Sequence, residues 1–518
     1  MLKRRSSLLL PVTSFLLLSS AACSSGAGSV QSPPAADSGK AAQPAAAPAA
    51  APKITIYQNG GSNLGARPEG STPDALSAMK KLYKDKLNID ADAIVPPQGA
   101  DAAKQKLNLM LGSSENLDIF QGNWDDYASK GAILPLNDLL DKYGQDIKKA
   151  WSEDAWANMK DNKGNIWGIP RAVPTVAYPV WVRSDWMKKL NQPMPKTLDE
   201  FEKVMQAFKD NDPDGNGKAD TIPLMTDLLG LRYAFTGGFV DGGYGNWLDP
   251  ADNKIKPVEL APGYKDFVVK MADWYQKGFI YKEAFGKFDP MELLKTGRVG
   301  ASSAWYSRVT IMWPQVQSNF PGADYDIVRN MTGPKGKIQT INAGSTSAVL
   351  ITKKSKNPEA AMKFINYQYQ DNPANAITAK FGANWKYTDA QKFNVQLLDK
   401  DVLYAGEYAV SLGLATETKY VIESPTGAKH ANYLNKEILQ LDTAKEPIDL
   451  NIVYNKDEMT KNIPNINDLT RLRDEETVKF ITGARPIADW DKFIDQLNKA
   501  GLDKWIDEYT RQYKQLKK

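Results

Sequence analysis

From Ile54 onward the chain repeats one scheme: a short apolar run, a glycine-containing turn and an amphipathic helix. In ITIYQNGG (54–61), Ile54 and Ile56 alternate ahead of a polar glycine turn, the pattern of a short strand running into a loop. ALSAMKKLYKDKLNI (75–89) then reads as an amphipathic helix. The next segment repeats helix, glycine turn, strand (117–120) and loop (122–125). Alternating β and α units bury both faces of their strands in a mostly parallel sheet clad with helices, so the expected class is α/β. Ligands of such sheets sit beyond the carboxyl ends of the strands, which singles out the loops 57–61 and 122–125.

The pattern continues through the body. Residues 169–182, rich in proline and β-branched side chains, form a strand-like segment long enough to pass from one lobe to another. Thr197 with Glu200 has the spacing of a capping box at a helix start. LKTGRVGASSAWYSRV (294–309) reads as helix end, glycine turn and strand, and ADYDIVRNMTG (323–333) as a return strand between lobes. SAVLITKKSKNPEAAMKFINYQY (347–369) is a strand followed by a helix that starts at a proline. Near the end, Trp490, Phe493, Ile494 and Leu497, then Leu502, Trp505, Ile506, Tyr509 and Tyr513, recur at helical spacing as core-facing stripes.

The first 52 residues are of a different kind. Lys3, Arg4 and Arg5 precede an apolar stretch from Leu8 to Leu18, which leads into Ser19-Ser20-Ala21-Ala22-Cys23. This is the order of an export signal, residues 1–22, and the apolar stretch is too short to span a bilayer, which takes ~20 residues. A small-residue cleavage site ending on cysteine resembles the lipobox of bacterial lipoproteins, with Ser20 where leucine is usual. Cys23 is the only cysteine in 518 residues. The expectation is that it becomes the mature amino terminus and carries lipid, palmitate included. From there to residue 52 the chain is Ala, Pro, Ser and Gly with little apolar bulk. It cannot bury enough surface to fold and is read as a tether reaching on the order of 30 Å. A folded body is expected from residue 53.

Composition excludes several functions. The formal charge is +4 and three of those charges lie in the signal. The mature protein is near neutral and has no basic tract, which argues against a nucleic-acid partner. No further run of about 18 apolar residues occurs. The one histidine, His430, lies in the polar loop ESPTGAKHANYL, which excludes His-based metal sites and leaves little room for a Ser-His-Asp triad. Thirteen Trp and 22 Tyr are heavy use of rings that pack cores and also stack on sugar faces.

One motif carries specific chemistry. Asp212, Asp214, Asn216 and Asp220 stand at positions 1, 3, 5 and 9 of an EF-hand-like loop, with the Lys218 carbonyl at 7 and Gly217 at the sharp turn. The bidentate glutamate expected at position 12 is Pro223. Three carboxylates within nine residues repel one another without a counter-charge, so a structural Ca2+ is expected; the alternative is a solvated Asx-Gly turn.

The lipobox region, ITIYQNGG, PKTLDEFEKVMQAFKDNDPDGNGKADTIPL, TGRVGASSAW and Asn357-Pro358-Glu359-Ala360-Ala361 occur here in an order that resembles family 1 extracellular solute-binding proteins. These are the receptors of bacterial ABC importers. The likeness is especially to LipO-type lipoproteins and alginate-binding receptors, and it covers essentially the whole mature chain. It implies a type II, periplasmic-binding-protein-like clamp of two α/β lobes joined by crossing hinge strands. Carried onto this chain, residues 53–170 plus 333–383 form one lobe. Residues 171–332 plus 384–518 form the other, with the calcium loop. The alginate-binding relatives have an acidic ligand directly after the last Asp of the loop, where this chain has Thr221.

Within that frame the cleft candidates are Tyr57, Asn59, Trp124 and Asp125 from the first lobe and Trp305, Tyr306 and Arg308 from the second. Arg171 lies near the first crossing and Trp385 near the last. Trp305 is the foremost because it directly follows the strand that ends at the cleft, although any Trp also suits a core. The resemblance implies a monomer that captures a carbohydrate, is held at the outer face of a Gram-positive membrane by Cys23, and delivers its ligand to a permease without turnover. The alternative is a secreted, calcium-stabilised polysaccharide-acting enzyme, which needs two carboxylates flanking a cleft. Mass spectrometry of the mature protein is expected to find Cys23 as an acylated amino terminus; an unmodified start elsewhere would reject the anchor.

Overall fold

The computed structural model describes residues 50–58, 71–97, 100–171, 175–341, 345–371, 373–398, 406–410, 420–422, 433, 437–450 and 452–517. Cys23, Asn59 and His430 lie outside them. Along the chain the first half of the body supplies β1 (Lys53–Tyr57), α1 (Pro73–Leu87), β2 (Asp90–Ile94), α2 (Ala100–Gly112), β3 (Ile119–Asn123), α3 (Trp124–Ala128), β4 (Ile169–Pro170) and β5 (Trp181–Arg183). Then come α4 (Leu198–Asp210), β6 (Ile222–Met225), α5 (Leu228–Phe235), α6 (Tyr264–Gln276), β7 (Val299–Ser302), α7 (Arg308–Asn319) and β8 (Tyr325–Ile327). β9 (Ser347–Ile351), α8 (Pro358–Tyr369), α9 (Ala374–Phe381), β10 (Trp385–Asp389) and β11 (Asn394–Leu397) follow. The chain closes with α10 (Lys456–Asn462), α11 (Ile466–Thr482), α12 (Trp490–Lys499) and α13 (Leu502–Leu516).

Local chemistry sets the helix ends. The Thr72 hydroxyl accepts from the Ala75 N–H at 3.3 Å ahead of Pro73, and α1 stops at Asn88 in the left-handed region. Thr197 caps α4 by accepting from Glu200 N–H at 3.2 Å, as the capping-box spacing predicts, while the Glu200 side chain reaches one residue past the cap and accepts from Lys196 N–H at 2.7 Å.

Two sheets organise the body. The first runs β2-β1-β3-β9-β4, with β1 parallel to β2 and β3, and β9 antiparallel to β3 and β4. Its two faces are covered separately, one by Met79, Tyr83, Phe364 and Ile365 and the other by Leu107, Met110, Ile133 and Met159. The second runs β8-β5-β7-β6, with only β7 and β6 parallel. Phe201, Phe208, Trp274 and the terminal helices pack one side of it, and Trp313, Val316 and Tyr433 the other. Both carboxyl-terminal stripes face the core, where Trp490, Phe493, Leu497, Leu502 and Trp505 are buried. This is a two-lobe α/β clamp. Among the described residues no helix is long and apolar enough to cross a membrane.

The lobes exchange chain at different places from those expected. Residues 171–180 link β4 to β5, but 332–340 still pack on the second lobe: Thr332 bridges Thr197, and Thr340 N–H donates to Tyr233 carbonyl at 2.8 Å. The segment after 384 stays with the first lobe. The apolar face of α9 (Ile377, Phe381) needs a cover, and Val395, Tyr420 and Trp385 supply it. Tyr408 then donates to the Ala91 carbonyl at 2.9 Å. The chain has returned to the second lobe by Tyr433, whose hydroxyl meets Asp326 at 2.9 Å.

The glycine in TGRVGASSAW has a packing reason. A Cβ on Gly300 would stand 2.4 Å from the ring of Phe208, which crosses β7 from α4. Gly300→Ala is therefore expected to cost about 1–3 kcal/mol in denaturant unfolding, part of it recovered by adding Phe208→Leu. An unchanged stability would show that the ring is free to yield.

Candidate functional site

The parallel pair β6–β7 ends in two turns that hold each other. Ser303 N–H donates to the Met225 carbonyl at 3.0 Å and its hydroxyl to Thr226 at 2.7 Å. Asp227 caps α5 through the Gly230 N–H at 2.6 Å, and after Ser303 the chain turns through Trp305 and Tyr306 into α7. The crossing segment lies against this turn, since Tyr306 N–H donates to the Ala177 carbonyl at 2.7 Å. Side chains from three separate pieces of chain thus meet at the carboxyl ends of the strands.

They form a wall of rings. Tyr178 from the crossing stacks on Tyr233 of α5 (centroids 5.3 Å, planes 20° apart) and meets Trp305 edge-on at 5.6 Å. Trp305 touches Tyr306 at 5.5 Å, and Tyr233 meets Tyr244 edge-on at 5.2 Å. All five rings are half-buried. Burial pushes the Tyr178 hydroxyl up to about 12, with Asp227 acting in the same sense and Arg308 opposing; burial does the same for Tyr233. Both phenols are therefore neutral at physiological pH and serve as donors and acceptors. Asp227 and Arg308 beside them add a charged acceptor and a charged fork suited to hydroxyls or a carboxylate.

The sequence placed Trp305, Tyr306 and Arg308 here. It missed Tyr178 and Tyr233, whose sole signals are an aromatic inside a crossing strand and a tyrosine on the helix that opens at the end of β6.

The first-lobe candidates divide. Tyr57 is 1 % exposed and donates to the Ala103 carbonyl at 2.8 Å, so it is core rather than cleft surface. Its neighbour Gln58 is fully buried with both amide atoms unpaired, and on adjacent β3 the Gln121 nitrogen is unpaired too. Unpaired buried amides cost about 1–3 kcal/mol each and mark this strand end as a place where a polar ligand would be welcome. Trp124 packs in the core with its indole N–H on the Asn158 carbonyl at 2.8 Å and also lines a cavity of ≈ 750 Å³. Asp125, Trp167, Asp161, Tyr454 and Lys456 share that cavity. Asp125 is ion-paired with Lys456 at 2.8 Å rather than open to a ligand. Arg171 stands at the hinge end of β4, its N–H on the Ser347 carbonyl at 3.3 Å. Trp385 belongs elsewhere: its indole donates to Thr378 at 3.0 Å and its ring packs on Tyr387 in the small sheet over α9.

The acidic loop is shaped by Gly215 and Gly217, both at φ +73°. Asp212 accepts from the Gly217 N–H at 2.8 Å, and the Asn216 amide donates to Asp214 at 3.0 Å and to Asp220 at 2.9 Å. Asn216 thus bridges carboxylates as a donor instead of presenting its oxygen. Lys218 N–H closes on that oxygen at 2.7 Å, and the Thr221 hydroxyl is buried without a partner. Among the described residues no three acidic, His or Cys side chains form a metal-holding group. Asp214 is raised by burial and by its contact with Asp212, which is itself lowered by that contact. Arg298 meets Asp220 from the neighbouring strand turn at 3.4 Å, and the remaining contacts of the acidic side chains are made within the loop.

Residues 69–374, more than half of the chain, match the family described as bacterial extracellular solute-binding protein. Among curated relatives, a fructooligosaccharide ABC transporter substrate-binding protein, FusA of Streptococcus pneumoniae, is 27 % identical over 460 residues, covering 78 % of this chain and 82 % of its own. Lipoprotein LipO of Bacillus subtilis is 28 % identical over 312 residues, covering 57 % of this chain and 60 % of its own. Among solved structures, a FusA EF-hand mutant in complex with fructo-nystose superposes with TM-score 0.64 at 22 % identity, covering 90 % of this chain and 99 % of that one. The alginate-binding protein AlgQ2 without calcium ion gives 0.61 at 18 %, covering 89 % and 97 %. The chain is a member of the bacterial extracellular solute-binding protein family.

Proposed function

We propose that this protein is the lipid-anchored, substrate-binding component of an ABC importer, capturing an oligosaccharide outside the cell and delivering it to a permease. The carrying observation is the wall of Tyr178, Tyr233, Tyr244, Trp305 and Tyr306 at the carboxyl ends of β6 and β7, flanked by Asp227 and Arg308. Half-exposed rings bind the C–H faces of pyranose or furanose units, and the neutral phenols with the two charged groups fix the hydroxyls. The proteins it resembles are named for fructooligosaccharide and alginate. In this reading the first lobe runs from residue 53 to the first crossing and from about 345 to 422, and Cys23 keeps the monomeric receptor on the outer face of the membrane. Ca2+ held by Asp212, Asp214, Asp220 and the Lys218 carbonyl pins α4 to β6 as a structural ion; the words EF-hand and calcium in the names of the similar structures support it.

A thermal-shift panel of neutral and acidic oligosaccharides tests the ligand. At a hundredfold excess over Kd the matching sugar is expected to add about 2.7 kcal/mol of stability. No response to any sugar, or release of shortened products, would reject the receptor reading. Trp305→Ala is expected to weaken the identified sugar by about 2 kcal/mol, roughly 30-fold in Kd, while Trp385→Ala leaves Kd unchanged. In a separate experiment, chelator is expected to lower the melting temperature and excess Ca2+ to restore it; identical melts would remove the ion from the loop.

A further inference from the structure

We propose that Lys456 is a latch that holds the two lobes closed over the cavity between them. The inference rests on the two-lobe clamp and not on the identity of the ligand. Lys456 opens α10, whose base is fixed to the second lobe. Asn455 N–H donates to Gln512 Oε1 at 2.7 Å, Asn462 donates to Glu508 at 2.9 Å, and Met459 and Ile463 are sunk in that lobe's core. Facing it, Asp125 and Asp126 occupy the first turn of α3, immediately after β3 of the first lobe. That turn is equally rigid, with Trp124 held by the Thr346 carbonyl through its N–H at 3.0 Å and by Asn158 through its indole.

The Lys456 ammonium stands 2.8 Å from Asp125 Oδ2 and 2.7 Å from Asp126 Oδ1. Only 9 % of the Asp125 side chain is exposed, so this end of the contact is shielded far better than an ordinary surface pair. The charged network of the second lobe, Arg232 with Glu259 and Asp474, stays inside that lobe and is indifferent to closure. An ion pair anchored on two bodies that hinge exists in only one of their arrangements. Its free energy therefore biases the equilibrium between them wholly toward the closed one. Asp125 acts as the partner of the latch, and Lys456 sets how much of the unliganded receptor is already closed.

The test needs no ligand. Cysteines replacing the exposed Asp85 on α1 and Lys504 on α13 carry probes for an interlobe distance, and a chain with Cys23 alone sets the background. The unsubstituted chain is expected to show a short-distance population. Lys456→Met is expected to shrink it roughly three- to fivefold, as loss of two partly exposed pairs implies; about 0.5 M salt acts in the same direction. Lys456→Glu opens it further, and adding Asp126→Lys to Lys456→Glu restores it. A latch is rejected if Lys456→Met leaves the distances unchanged, or if no short population exists at the start. An opening that Asp126→Lys does not reverse also rejects it, because the loss then comes from the packing of α10. Because no sugar is present, failure here is separate from failure of the oligosaccharide reading.

Discussion

The passage of the chain from β4 to β5 is the constraint on which the rest of the molecule turns. At one end Arg171 N–H is bonded to Ser347 beside β4 of the first sheet, and at the other the Val180 carbonyl accepts from Val328 N–H beside β5 of the second. Neither sheet closes on itself, and each buries its two faces against its own helices, so what joins them is a set of chain crossings, this one the first, rather than a shared core. That separates two rigid bodies and places the carboxyl ends of β6 and β7 against the hinge. It also carries Tyr178 into the ring wall, so that the hinge and the candidate ligand surface share a residue.

The wall is supported from behind. Arg232 is buried, with Tyr264 accepting at 3.2 Å and Tyr244 at 3.3 Å, and Tyr244 in turn meets Tyr233 edge-on. A guanidinium out of water is tolerable only with its charge met, and Glu259, fully buried, together with Asp474 meets it. The same low-dielectric surroundings that make this network costly to disturb hold the tyrosines in one orientation. Rings fixed in this way meet a flat ligand without first losing rotamer freedom, which is how preorganisation contributes to affinity.

Much of the local structure was legible in residue order. The Thr197 cap and the buried stripes from Trp490 to Trp505 follow from short-range rules of hydrogen bonding and periodicity. Trp305 was legible because a residue directly after a strand in a parallel pair must lie at its carboxyl end. Tyr57 and Trp124 obeyed the same rule and were nonetheless drawn inward: an aromatic at a strand end can turn toward either the cleft or the helix layer, and Ala103 and Asn158 offered their carbonyls to the polar tips. Trp385 was misplaced because the face of α9 that it covers is visible only once the helix has docked.

Sequence by itself determined the α/β alternation, the capping-box helix start at Thr197 and the grouping of carboxylates in the acidic loop. These are set by residues close together in the chain. Tertiary structure alone decided that Tyr178, Tyr233 and Trp305 share one wall, that Gln58 and Gln121 are buried side by side, and that Lys456 reaches Asp125 across more than three hundred residues. Each of these depends on where separately folded pieces dock, and docking is fixed by the summed burial of two sheets that no local pattern encodes.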